Sequence, residues 1–256
     1  METLLVDRRD GIVTITLNRP EKKNAINATM WNELIDVFTE VGENTKDRAV
    51  VLTGAGDAFC SGADLGGDPD LETHQLQKMH HINRAALALH GLPKPVIAKV
   101  GGVAAGAGLN LALGCDLIVA SDRARFSEIF AKRGLTVDFG GSWVLPRLVG
   151  LHRAKELVLF GDILGAAEAE RMGLVNRVVP HAELDAFVDD WAARLAGGPP
   201  LALAMSKRLL NNSFSMTLSE ALDAEGFTQT VNFASSDTRE AIMAYLQKRQ
   251  PAFTGH

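Results

Sequence analysis

Between residues 11 and 17 the chain alternates: Val13, Ile15 and Leu17 take one face, while Ile12, Thr14, Thr16 and then Asn18 take the other. A period of two predicts a half-buried strand, and the turn Arg9-Asp10-Gly11 joins it to residues 4–6 as a hairpin. The period then lengthens. Trp31, Leu34, Ile35, Phe38 and Val41 recur at helical spacing, with Gly42 behind them as a stop. Residues 49–52 and 96–100 are short apolar runs and read as buried strands. Each runs into small residues, 54–67 after the first and 101–108 after the second. A polar-faced helix is expected over 71–90, before Pro93 and Pro95 reset the chain. A short helix over 109–113 and a third strand over 116–120 follow. Strand, glycine-rich loop and helix therefore recur twice, which predicts an α/β core with parallel strands. From about residue 151 helical patterns dominate, around 152–160, 166–172, 182–196, 200–211, 218–233 and 238–248. One late strand interrupts them over 174–179. This second half is expected to form a helical layer on the core or on a neighbouring subunit.

The chain has 256 residues, 46% of them hydrophobic, enough for a substantial core in one large domain or two small ones. The net charge of −5 gives no sign of a nucleic-acid binder, though local donors could still hold a phosphorylated ligand. Two cysteines, Cys60 and Cys115, form no CxxC pair, so no disulfide framework is expected. The N-terminus lacks a signal core, and no apolar run approaches the ~18 residues of a membrane span. A cytoplasmic protein without membrane contact is the expectation. His74, His80 and His81 share a helical stretch without the i, i+4 pair and acid of a metal site, so no metal is expected.

Small residues at the end of a buried strand let backbone N–H groups approach a ligand, and a helix starting there adds unpaired N–H groups. Two such amides meeting at one oxygen would make an oxyanion hole. The competing reading of each loop is a tight connection only. Neither loop fits a dinucleotide fingerprint, a P-loop or a nucleophile elbow.

The order of motifs carries a resemblance. Ala58-Phe59-Cys60-Ser61-Gly62-Ala63-Asp64-Leu65 resembles the "AFxxGADL" loop of the crotonase, or enoyl-CoA hydratase/isomerase, family. Pro93-Lys94-Pro95-Val96-Ile97-Ala98 resembles its "KPVIAAV" strand, and 103–117 its "GxAxGxGxxLALxCDL" segment. Asn18-Arg19-Pro20, Asn24-Ala25, 173–179 and 249–253 also fit, so the resemblance spans nearly the whole chain. It implies an α/β spiral of ββα repeats over 1–195 and a helical trimerisation region over 196–256. A homotrimer, or a hexamer built as a dimer of trimers, is the implied assembly. It implies an acyl-CoA thioester substrate, with coenzyme A arriving as part of that substrate and no permanently bound cofactor. The amides of Ala63 and Ala107 would form the oxyanion hole, and Lys23, Ala25, Ser61, Asp64 and Leu65 would contact the CoA portion, with Asp64 bracing its loop.

Family hydratases use two glutamates, and the matching positions here are Asn110 and Phe130. Glu128 stands two residues out of register. Asp138, in Gly134-Leu-Thr-Val-Asp-Phe-Gly-Gly141, sits where family isomerases and dehalogenases carry an aspartate. Asn110, Phe130, Phe139 and Trp143 would line the acyl pocket, with Leu135 and Val137 adding to an apolar setting. Burial there would raise the pKa of Asp138 and suit a proton shuttle; the alternative is a turn aspartate bonded to its own backbone. A CoA-ester isomerase is the leading expectation. Enoyl-CoA hydration, hydrolysis or dehalogenation through Asp138, and a non-catalytic acyl-CoA-binding subunit remain as alternatives.

Overall fold

The computed structural model describes residues 1–66 and 73–256. The hairpin forms as its alternation requires. β1 (Leu4–Arg9) pairs antiparallel with β2 (Ile12–Leu17) through Asp10 and Gly11, both at positive φ (52° and 79°), which suits the sharp twist of a two-residue turn. Val13, Ile15 and Leu17 are fully buried. The Asn27 side chain accepts from the Met30 N–H and caps α1 (Ala28–Glu43). One stripe of α1, including Trp31, Leu34, Phe38 and Val41, enters the core, and Gly42 is absorbed into the last turn.

β3 (Ala49–Gly54) follows, then β4 (Ala58–Cys60), α2 (Gln75–His90), β5 (Val96–Val100), β6 (Val103–Ala105) and α3 (Ala107–Leu113). The segments read as uninterrupted loops therefore each contain a strand, and α3 begins at Ala107 rather than at 109. The expected start of α2 at 71 lies outside the described residues. Beyond α3 come β7 (Leu117–Ser121), β8 (Arg125–Ser127), α4 (Gly141–Val149), α5 (Leu151–Phe160), β9 (Leu164–Gly165), α6 (Ala166–Met172), β10 (Arg177–Val179), α7 (Leu184–Ala196), α8 (Pro200–Asn212), α9 (Leu218–Ala234) and α10 (Ser236–Gln247). Helix α4 was not expected, because it opens on glycine and contains Pro146. Packing of Leu145 and Val149 into the core overrides that poor propensity.

Two sheets result, ordered β1-β2-β3-β5-β7-β10 and β4-β6-β8-β9. From β2 onward the first is parallel. From β3 to α4 the chain lays one strand in each sheet before a helix, which is the ββα spiral followed by a helical region that the resemblance implied. Apart from Thr53 and Lys99, strands β3 and β5 are apolar because both faces are covered: Val50, Leu52, Val96 and Ala98 join the main core, while Val51 and Ile97 pack with Leu184, Val188 and Ala192 of α7. By contrast, α8 and α9 bury no residue, and Leu218, Phe227 and Tyr245 are more than three-quarters exposed. Among the described residues no helix is long and apolar enough to cross a membrane, and no group of three His, Cys, Asp or Glu is placed to hold a metal ion.

Candidate active site

The two small-residue turns are neighbours because β4 and β6 pair in parallel, Ala58 with Val103 and Cys60 with Ala104. Two glycines mark how close they come. A β-carbon on Gly62 (φ +109°) would lie 3.0 Å from the Ala105 carbonyl oxygen and 3.9 Å from the Ala107 nitrogen. One on Gly108 would fall 2.4 Å from the Cys60 carbonyl oxygen. The Ala107 amide opens α3 and so has no partner within the helix. Gly106 before it is held by a bond from its N–H to the Ser127 carbonyl (2.9 Å). The two turns thus present the Gly62–Ala63 peptide and the Ala107 amide side by side. Both cysteines are buried fillers. The Cys60 thiol is pushed up to about 12 by burial, and that of Cys115 also rises for the same reason.

Residues 19–26 clamp the first turn. The Ser61 N–H donates to the Lys23 carbonyl (3.0 Å), Ile26 N–H to Gly62 (2.9 Å), and Asp64 N–H to Ile26 (2.9 Å). Asn24, fully buried, donates to the carbonyls of Ala55 and Ala58 at 2.9 Å each. Arg19 bonds the Asp64 carboxylate (2.8 Å), which also accepts the Gly66 N–H (3.1 Å). The Arg19 guanidinium holds the Asp64 carboxyl below its ordinary range. Asp64 is spent on bracing. Lys23, Ala25, Ser61, Asp64 and Leu65 therefore share one rim, with Leu65 largely exposed.

Behind the second turn lies a different group. Asn110, one turn into α3 from Ala107, is buried, and its amide donates to the Asp138 carbonyl (3.0 Å). A β-carbon on Gly141 would lie 2.4 Å from the same amide nitrogen, so only glycine fits there. Phe139, at φ +49°, stacks on Trp31 with centroids 5.2 Å apart and fixes the segment before α4. The Asp138 side chain is half-buried, its buried Oδ1 accepts no hydrogen bond from the described residues, and so it is not a turn aspartate bonded to its own backbone. Burial pushes its carboxyl up to about 6.

Phe130 is buried, and its ring borders Gly106 beside the second turn. Leu135 is half exposed, so less of the apolar setting comes from it than expected. Trp143 does not join the group. Its ring meets His90 edge-on (5.3 Å) and lies under the Arg147 guanidinium (4.0 Å), in a groove shared with Lys207 and Phe214.

The structure adds a residue that register alone set aside. Glu128 is 1% exposed, neither of its carboxyl oxygens has a hydrogen-bond partner among the described residues, and Asp138 is its charged neighbour. Burial first and the Asp138 charge second push its carboxyl up to about 8; the Asn110 amide opposes the rise, in a geometry short of a hydrogen bond. No local pattern marked it, because the strand before it, Arg125–Ser127, is too short to show a period and Lys132 stands four residues on as a plausible partner.

Comparison with known proteins gives one consistent result. The enoyl-CoA hydratase/isomerase family model matches residues 7–256. A probable enoyl-CoA hydratase from Rhodobacter capsulatus is 41% identical, covering 99% of this chain and 98% of its own. The 1,2-epoxyphenylacetyl-CoA isomerase of Escherichia coli is 40% identical over 100% of this chain and 99% of its own. The crystal structure of an enoyl-CoA hydratase from Bacillus anthracis superposes with a TM-score of 0.95 at 32% identity, covering 99% of this chain and 100% of that one.

Proposed function

The chain belongs to the enoyl-CoA hydratase/isomerase family, and from that premise we propose that this acyl-CoA-processing enzyme is a CoA-ester isomerase with Asp138 as its base. The carrying observation is the half-buried Asp138 side chain, its buried Oδ1 unpaired among the described residues and its main chain held by Asn110. The amides of Ala63 and Ala107 would hold the thioester oxygen. One such donor is worth about 3 kcal/mol in a transition state. Asp138 would remove a proton from the α or γ carbon, and the electron pair would spread to that oxygen as an enolate. Return of a proton to a different carbon completes the isomerisation. The rim of Lys23, Ala25, Ser61, Asp64 and Leu65 would seat the CoA portion. Asn110, Phe130 and Phe139 would line the acyl end, whereas the contacts of Trp143 point it to the α8 groove.

Enoyl-CoA hydration is the second reading. The names of several relatives favour it, and so does Glu128, which supplies a second carboxyl able to activate water. Product mass separates the two. A 3-enoyl-CoA should return a conjugated product of unchanged mass, and crotonyl-CoA should stay intact. Rapid gain of one water by crotonyl-CoA would transfer the assignment to the hydratase reading.

The exposed apolar side chains of α9 and α10 support assembly through residues 196–256. A homotrimer, three times 27.5 kDa, or its dimer is expected by light scattering.

A further inference from the structure

We propose that Glu128 is the second proton carrier of this site: Asp138 takes a proton from one carbon of the acyl chain, and the Glu128 carboxyl gives its own proton to another. This rests on the isomerase reading above.

The placement follows from the second sheet. Ser127 ends β8 opposite Ala105, and its carbonyl binds the Gly106 N–H. Glu128 is therefore the next residue alongside the turn that presents the Ala107 amide. Asn110 lies three residues beyond Ala107, on the same helical face. Its amide is committed to the Asp138 main chain, while its own Oδ1 is buried without a partner among the described residues. Four groups thus meet in one place: the Ala107 amide, Asn110, Glu128 and Asp138.

A buried carboxyl kept for structural reasons is ordinarily paired with a base or with backbone N–H groups. Glu128 has neither among the described residues. Lys132, on the following turn, is engaged by Asp162 (2.7 Å), and His152, Arg153, Lys155 and Glu156 of the adjacent α5 are solvent-exposed. Two carboxyls that feel each other's charge, one of them fully buried, do not readily both ionise. Glu128, the more buried, keeps the proton at neutral pH while Asp138 is the carboxylate, consistent with their values near 8 and 6.

The step balances. The substrate C–H bond breaks and its proton forms an O–H on Asp138. The electron pair enters the dienolate, and the dienolate then forms a new C–H bond with the Glu128 proton, leaving Glu128 ionised. Transfer of the Asp138 proton to Glu128 restores the starting state.

The test uses 3-hexenoyl-CoA in deuterium oxide, with wild type, Glu128→Gln and Asp138→Asn, CoA-ester binding being measured for each by calorimetry. Glu128→Gln should still exchange the α hydrogen of recovered substrate, while conversion falls about a hundredfold. Wild type in a single turnover should place deuterium at the new C–H. Asp138→Asn should lose both exchange and conversion. Wild-type conversion and isotope pattern in Glu128→Gln overturn the proposal and leave the isomerase reading standing. Loss of exchange together with conversion in Glu128→Gln, with binding intact, also overturns this division of labour. Substrate hydrogen carried intact into product by wild type does so without reference to any variant. If wild type neither exchanges nor converts, the isomerase reading itself falls.

Discussion

Two polar regions border the paired turns, and they are built on opposite rules. Along the rim, Arg19 meets Asp64, Asp64 also takes the Gly66 amide, and Asn24 fills two carbonyls. In the interior group, the Asn110 and Asp138 Oδ1 atoms and both Glu128 oxygens are buried without partners among the described residues. Paired groups hold a shape, and their energy is already spent on it. Unpaired buried groups destabilise the fold and persist where a reacting molecule supplies the missing partner. The contrast separates the aspartate that braces, Asp64, from the aspartate that is free to react, Asp138, although both precede or follow glycine-rich sequence.

The sharpest way to break this contrast is Asp138→Asn. Turnover should fall by about 10²–10⁴-fold while CoA-ester affinity changes little, read by steady-state kinetics and calorimetry. Equal loss of affinity would make Asp138 a structural group like Asp64. Gly141→Ala comes next, because its methyl would overlap the Asn110 amide at 2.4 Å. Overpacking of this kind costs about 1–3 kcal/mol, seen in chemical denaturation, and displacement of Asp138 should lower kcat about tenfold. Arg19→Ala should cost about 1.5–3 kcal/mol at most, given partial exposure of the pair, and raise KM for CoA esters with kcat within about twofold. A collapse of kcat instead would place the rim in the chemistry.

The pH dependence should run in opposite senses in the two regions. The Asp64 carboxyl is lowered in the folded state, so its stabilisation is present above its unfolded pKa and is lost as pH falls through the folded value. Glu128 is raised from 4.5 to about 8, so its burial weakens the fold progressively as pH climbs between those values. Thermal melts of Asp64→Asn should therefore lie below wild type at pH 7 and converge with it in acid. Those of Glu128→Gln should gain on wild type from pH 5 to pH 9, by about 2 °C or more. For activity, kcat/KM should rise through about pH 6 as Asp138 ionises.

Much of this architecture was legible in the letters. The hairpin, α1, the buried strands and α6 declared themselves through periodicity and turn residues, and the small-residue turns announced backbone chemistry. The strands β4, β6 and β8 did not, because three residues are too few to show a period and their ladders depend on partners more than twenty residues away. Helix α4 was hidden by Gly141 and Pro146, whose local cost is met by burial of Leu145 and Val149.

The site divides in the same way. Sequence alone, through its resemblance to the family motifs, marked Asp138 as a candidate, Asp64 as a brace, and Ala63 and Ala107 as the amides to watch, since each stands at a matching motif position. Only the tertiary structure decided that Glu128 belongs with Asp138 and that Trp143 turns toward Arg147 instead. Whether a carboxyl is desolvated and unpaired depends on the neighbours that distant segments bring to it, and no local pattern encodes that.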